Sequence, residues 1–498
     1  MADPVRSPFS RVFTIEDRAG PANAPEYQGQ ARAMGPSWAF GGRTPIREPD
    51  PSRYNAFIII DAIKAERELP TLSLENRYQY TVSELLALAK RGCPFDVQVH
   101  FGKCQDPRDF NGGWDKILVL ESADISNWST NELGALEQGQ DVLVNETVDM
   151  NGFDLLEIKK LGFASIAGTE VVQEVIDIVI CDAISCGVCG IASTGCQTFF
   201  AIQVATGGSP GLPPEMVYSQ NGGSTIGEST ITSLAANEDP DAVECVGVYV
   251  VVVSQDDCGV HYALASAILA NTEVWTKNAA GLVCPIGSPR DIFSAGSANT
   301  WVVGAGGYIY FYTDITATAA VQTAGSVTVQ DLNAIHGSDD QNLVAVGNLN
   351  AVLRTQNGGE TWSLITGPAV GINLNTVWVR SADEWFIGTA NGRLWYTRDA
   401  GVTWTEKAFP GSGAGVVRDI TFATPTVGYL AHDTATPVGR ILRTINGGFD
   451  WYVLPEGTGS LPDNDRINAI AACGEDVNRV YGAGLGANAI DGIIVAGA

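Results

Sequence analysis

A short phrase recurs along this chain and constrains its fold more than any other feature. It reads TQNGGETW at Thr355 to Trp362, TRDAGVTW at Thr397 to Trp404 and TINGGFDW at Thr444 to Trp451. A fourth copy, SQNGGSTI, runs from Ser219 to Ile226 and lacks the Trp. The pattern is Ser/Thr-x-Asn/Asp-x-Gly-x-x-Trp, and copies follow apolar stretches such as AVLR, RLWY and RILR. Each copy therefore reads as strand, tight turn, strand. The Asn or Asp side chain bonds backbone N–H groups two residues on and tolerates a positive φ. The Gly takes a left-handed conformation without steric cost. The Trp opens the next strand and buries a large apolar body with one polar handle. Asn221, Gly223, Asn357, Gly359, Trp362, Asp399, Gly401, Trp404, Asn446, Gly448 and Trp451 are thus read as structural turn residues, with no catalytic role.

Turn-to-turn steps are 42 residues from Asn357 to Asp399 and 47 from Asp399 to Asn446. Each step holds four short strands, the length of a propeller blade. Two worn units precede these, with turns expected near Asp314 and Asn278. The last segment, from RINAIAACG to DGIIVAGA, falls one strand short. EVIDIVICD at 174–182 is expected to supply it and close a ring of seven blades over residues 171–498, with six or eight as alternatives.

The phrase resembles the Asp-box, or BNR repeat, of sialidases, sortilin-type propellers and plant photosystem assembly factors. The resemblance covers roughly residues 200–460 and implies a turn between the third and fourth strands of each blade, with a structural role. It implies no chemistry. A sialidase would need three clustered Arg, a Tyr–Glu pair, an acid Asp and an early Arg-Ile-Pro phrase. Arg is sparse here and Arg-Ile-Pro does not occur. Arg354 and Arg443 sit at equivalent places before their turns, which reads as structural.

Residues 1–54 are rich in Pro, Gly and Arg and read as an extended arm. Residues 55–170 read as an α+β assembly domain: NAFIIIDAI, FDVQVHF, KILVLES and DVLVNETVDM as strands, TVSELLALAKRG as a helix. The stretch ADISNWSTNELGALEQGQDVLVNETVDMNGFDLLEIKKLGF resembles phage virion proteins of the tail-tube kind. That resemblance implies a mainly β chain that polymerises into rings or a tube through its N-terminal domain and displays the propeller outside. The expected function is that of a virion structural protein assembled in the host cytoplasm. Its partners would be itself, other virion proteins and a host-surface glycan or protein. A capsid or decoration protein, or a propeller adaptor for a glycan or peptide, is the alternative.

Composition bears on partners. Formal net charge is −27, which disfavours specific nucleic-acid binding and anionic membranes. No apolar leader opens the sequence and no apolar run reaches membrane length. No cofactor is expected and no enzyme activity. Cys181, Cys186, Cys189 and Cys196 crowd into sixteen residues; disulfides, reduced buried thiols and a metal site stay open as readings. His100, His261, His336 and His432 read as satisfied strand residues. The acid pairs Asp256–Asp257, Asp339–Asp340 and Asp463 with Asp465 read as solvated loop acids.

Overall fold

The structure, a computed structural model, separates into two compact units, 1–159 and 160–498. It describes residues 10–16, 26–37, 43–49, 57–64, 71–79, 95–101, 116–132, 144–151 and 154–159 of the first unit. In the second it describes 161, 163–166, 173–181, 196–204, 213–295, 299–368, 371–434, 439–454, 466–474, 476–486 and 492–497.

The first unit is built on a seven-stranded antiparallel sheet. Strand Ser10–Glu16 pairs with Glu26–Ser37 on one side and Phe95–Phe101 on the other. Glu26–Ser37 continues to Thr71–Gln79, which pairs with Val144–Asn151. The 17-residue strand Lys116–Glu132 then joins Val144–Asn151 to Phe95–Phe101, so the pairing runs round a closed circuit. Asp154–Lys159 extends the edge of Lys116–Glu132. The stretch read from sequence as an extended arm is therefore woven into the sheet. Its Pro and Gly blur the period-2 signal, but long-range pairing supplies the hydrogen bonds that local sequence does not announce. Arg43–Pro49 and Phe57–Lys64 form a separate hairpin that pairs with no other strand among the described residues. The helix expected in TVSELLALAKRG lies outside the described residues.

The described core of the first unit is mainly aliphatic. Val97, Val99, Ile117, Val119 and Leu120 are fully buried. Each such aliphatic side chain contributes about 2 kcal/mol on burial. Gln98 and His100 are buried beside them and meet each other, at 3.2 Å between Oε1 and Nε2.

The second unit contains seven four-stranded antiparallel sheets among its described residues, here numbered I to VII. Their first strands are Val175–Cys181, Ala242–Val246, Pro289–Ser294, Leu332–Gly337, Leu374–Val379, Val416–Phe422 and Arg466–Ala472. These strands lie side by side in chain order, and that of sheet VII returns to that of sheet I. Each sheet then steps outward through antiparallel strands. Apolar clusters fill the spaces between neighbouring sheets: Phe386, Val417, Leu430 and Leu442 between V and VI, for example.

Ring closure differs from the sequence reading. Val175–Cys181 is the first strand of sheet I, not the missing strand of sheet VII. That strand is Phe163–Ser165, which pairs with Gly492–Gly497. Three residues carry no readable period, whereas VIDIVIC has the look of any buried strand.

Candidate functional site

The first strands of the sheets surround a central cavity of about 530 Å³. Four carboxylates line it: Asp177, Glu244, Asp291 and Asp419. So does an aromatic arc in which His336 lies between Phe293 and Trp378, its ring tilted against both, with ring centroids 4.9 and 4.1 Å away. No Lys or Arg is among the lining residues.

Three of the carboxylates follow one construction. In the first strands of sheets I, III and VI a register shift falls just before Asp177, Asp291 and Asp419. Such a bulge re-aims the side chain. One oxygen of each Asp accepts the N–H of the following residue, Ile178, Ile292 or Ile420. The other accepts an N–H from the next sheet: Val243 at 2.8 Å, Ile335 at 2.8 Å and Ile470 at 2.9 Å. Sheets IV, V and VII use an Asn one position earlier. Asn333, Asn375 and Asn468 donate to the carbonyls of Leu374, Val417 and Val175, again in the next sheet. The polar groups of the inner ring thus fasten neighbours together.

Burial raises all three Asp carboxyls above their ordinary range, against the hydrogen bonds that lower them. Asp177 is pushed up to about 7, Asp419 to about 6 and Asp291 well above the usual value. Burial also drives His336 down to about 3, although its ring accepts the Val379 N–H at 3.1 Å. A neutral imidazole at ordinary pH is not a proton carrier. The cavity is lined by acidic and aromatic side chains, and no Lys or Arg brings positive charge to it.

The turn residues are brought together in a common geometry, though not the expected one. In the copy that starts at Thr355, the Thr355 Oγ1 accepts the N–H of Asn357 at 3.3 Å and of Gly359 at 2.9 Å. Asn357 Oδ1 accepts the N–H of Thr361, four residues on, at 3.0 Å. The same pattern recurs from Ser219 through Asn221, from Thr397 through Asp399, and from Thr444 through Asn446. The hydroxyl two residues earlier makes the short-range bonds assigned by sequence to the Asn. Gly223, Gly359, Gly401 and Gly448 hold φ between +82° and +88°.

These turns lie between the third and fourth strands of sheets I, IV, V and VI. They also reach sideways. Trp362 Nε1 donates to Gln322 Oε1 of sheet III at 3.0 Å, and Trp404 Nε1 to the Thr366 carbonyl of sheet IV at 2.9 Å. Trp451 is buried in the cluster of Phe386, Phe422 and Leu442 between sheets V and VI, with Phe422 6.0 Å away edge-on. A worn turn is present near Asp314, whose carboxylate accepts from Thr316. Near Asn278 there is none: Asn278 ends the fourth strand of sheet II, and its amide donates to Ile315 and Ala317 carbonyls of sheet III. The turn of sheet II is replaced by a connection holding the short helix Ala265–Leu269.

Cys196 is disulfide-bonded to Cys473, far along the chain, which joins sheet I to sheet VII. Cys258 bonds Cys284, and Cys245 is also in a disulfide. Cys186 and Cys189 lie outside the described residues, as does the side chain of Cys181. Among the described residues no group of three or more His, Cys, Asp or Glu is placed to hold a metal. The Arg residues that a sialidase would gather are dispersed: Arg354 pairs with Asp383, Arg380 with Glu384, Arg418 with Asp433. Sequence reasoning missed the inner-ring Asp and Asn residues. For the Asp residues the signal is an Asp-Ile pair inside a strand-like run, as in VIDIVI, PRDIF and VRDITF.

No family model matches this sequence, and no curated protein matches it. Among solved structures, the chain is similar to virginiamycin B lyase from Staphylococcus aureus with quinupristin. That match has a TM-score of 0.51 and 13% identity, and covers 68% of this chain and 99% of that one. The second unit is a β-propeller. YCF48 from Cyanidioschyzon merolae is also similar, at TM-score 0.48 and 13% identity, over 67% of this chain and 98% of that one. Identities this low speak to the propeller's fold and leave its function to the residues.

Proposed function

We propose that this chain is a structural subunit of a phage virion, a tail-tube protein that polymerises through residues 1–159 and displays a seven-bladed Asp-box propeller on the outside. The observation that carries this reading is the hairpin Arg43–Pro49/Phe57–Lys64. It pairs with no other strand among the described residues, and one arm reads FIIIDAIK. A lone two-stranded hairpin is marginal in water, and exposed strand edges are templates for pairing between chains. A second copy would offer a strand to either edge of this hairpin. The acidity of the chain suits a conduit that must not hold DNA.

Light scattering and negative-stain imaging of the full chain test this reading. Rings or tubes are expected, and Ile59→Lys is expected to give monomers whose propeller melts as before. A full chain that stays monomeric at high concentration overturns it.

The central cavity favours a second reading, a propeller adaptor. A carboxylate-lined hole with an aromatic arc fits a basic or aromatic peptide side chain better than an anion. Saturable binding of a Lys- or Arg-bearing peptide by unassembled chains, lost on Trp378→Ala, would favour it.

A further inference from the structure

Ser233, His261 and Asp257 form a hydrogen-bonded chain outside the central cavity. Ser233 lies in the connection from sheet I to sheet II and is partly exposed. Its Oγ is 2.7 Å from His261 Nδ1. His261, on the third strand of sheet II, is fully buried. Its Nε2 is 3.1 Å from the Asp257 carboxylate. Lys277 Nζ, opposite His261 in register on the fourth strand, is 2.9 Å from the same carboxylate.

The chemistry has one direction. Burial alone would push the Asp257 carboxyl up, but hydrogen bonds from His261 and Lys277 outweigh it and hold it below the ordinary carboxylate range. An ionised Asp257 accepts the proton of His261 Nε2. The lone pair of Nδ1 is then left facing Ser233, whose hydroxyl donates to it. A serine hydrogen-bonded to an imidazole that a carboxylate orients is the arrangement of an activated nucleophile. Roles in such an arrangement follow from geometry rather than sequence position, and here the nitrogen facing the serine is Nδ1. The parts are also held in place. Ile231 and Leu234, flanking Ser233, pack against Val250, Val252 and Ala263 of sheet II. The Cys258–Cys284 disulfide pins the turn that carries Asp257.

We propose that Ser233 is an activated nucleophile that accepts the acyl group of small esters. Ser233 Oγ attacks the ester carbonyl carbon as its proton passes to His261 Nδ1. The bond from that carbon to the alcohol oxygen breaks, and the departing alcohol takes the proton from Nδ1. Water then attacks the acyl-serine, gives one proton to Nδ1, and releases the acid as Oγ recovers that proton. The net change is ester plus water to acid plus alcohol. Asp257 and Lys277 act as positioning residues.

The test uses the full folded chain with a fluorophosphonate probe and p-nitrophenyl acetate. The expected result is a single phosphonate adduct mapped by mass spectrometry to Ser233, and slow ester turnover that the adduct abolishes. Both disappear on heat denaturation and in Ser233→Ala. Asp257→Asn is expected to slow labelling by about a hundredfold. Lys277→Met, at a half-exposed site, is expected to slow it less while the melting temperature stays unchanged. A folded chain that gives no Ser233 adduct, or one labelled equally fast before and after denaturation, overturns the proposal. So does Lys277→Met and Asp257→Asn labelling at the parental rate with folding intact.

Discussion

Asp291 accepts the Ile335 N–H at 2.8 Å, so a side chain of one blade completes the backbone of the next. Asp177 and Asp419 do the same at two other boundaries. The bond sits where burial disfavours charge, and this gives the ring a pH dependence of defined sign. The three carboxyls titrate higher in the folded chain than the ordinary value of 3.8. Folding therefore takes up protons between about pH 4 and pH 7, and this contribution to stability is lost as pH rises through that window. Melting temperature should fall from about pH 4.5 to about pH 7.5. Asp291→Asn should flatten the slope, and an unchanged slope would refute the assignment.

Gly359 has φ +87°, and a Cβ there would meet Gln322 Oε1 at 1.9 Å, the atom that accepts from Trp362. Gly359→Val should destabilise the propeller by about 3 kcal/mol, from backbone strain and a broken contact between sheets. Gly371 is the control: its φ is +74° but nothing lies within 4 Å. Gly371→Ala should cost only about 1 kcal/mol. Chemical denaturation of the two variants distinguishes strain from collision.

Thr397 is buried and its hydroxyl holds the N–H groups of Asp399 and Gly401. Thr397→Val keeps the shape and strands both donors, at a cost of about 1–3 kcal/mol. Thr397→Ser should be close to neutral, because sheet I carries Ser219 in the same role. A Thr397→Val chain as stable as Thr397→Ser would refute the role given to the hydroxyl.

The Cys196–Cys473 bond spans a sequence separation of 277 residues. Loop-closure entropy gives such a link up to about 5 kcal/mol of stabilisation. Replacing both with Ser should lower the unfolding midpoint, and reductant should then have a smaller further effect than on the parent chain.

The repeated turn was readable because its residues have local jobs: a hydroxyl and an amide that satisfy nearby N–H groups, and a Gly at positive φ. Its sideways contacts were not, since nothing in TQNGGETW names Gln322. The spacing exposed the four-strand unit, but sheet II hid its turn by exchanging it for the segment around Ala265–Leu269. Phe163–Ser165 was invisible for want of length. Cys196 stood out among its neighbours in sequence, yet its partner is Cys473, and pairing across a ring leaves no trace in spacing. Ser233 and His261 are strangers in sequence that only the stacking of sheet II on sheet I introduces.

Phe163–Ser165 has a consequence in time. Among the described strands of the second unit it is the first that a ribosome makes, and its partner Gly492–Gly497 is the last. Every other sheet can complete itself as it emerges, but sheet VII cannot. The strands of residues 1–159 need nothing from downstream to complete their circuit. The propeller is thus an open arc through most of synthesis, and the latch engages only once Gly492–Gly497 has been made.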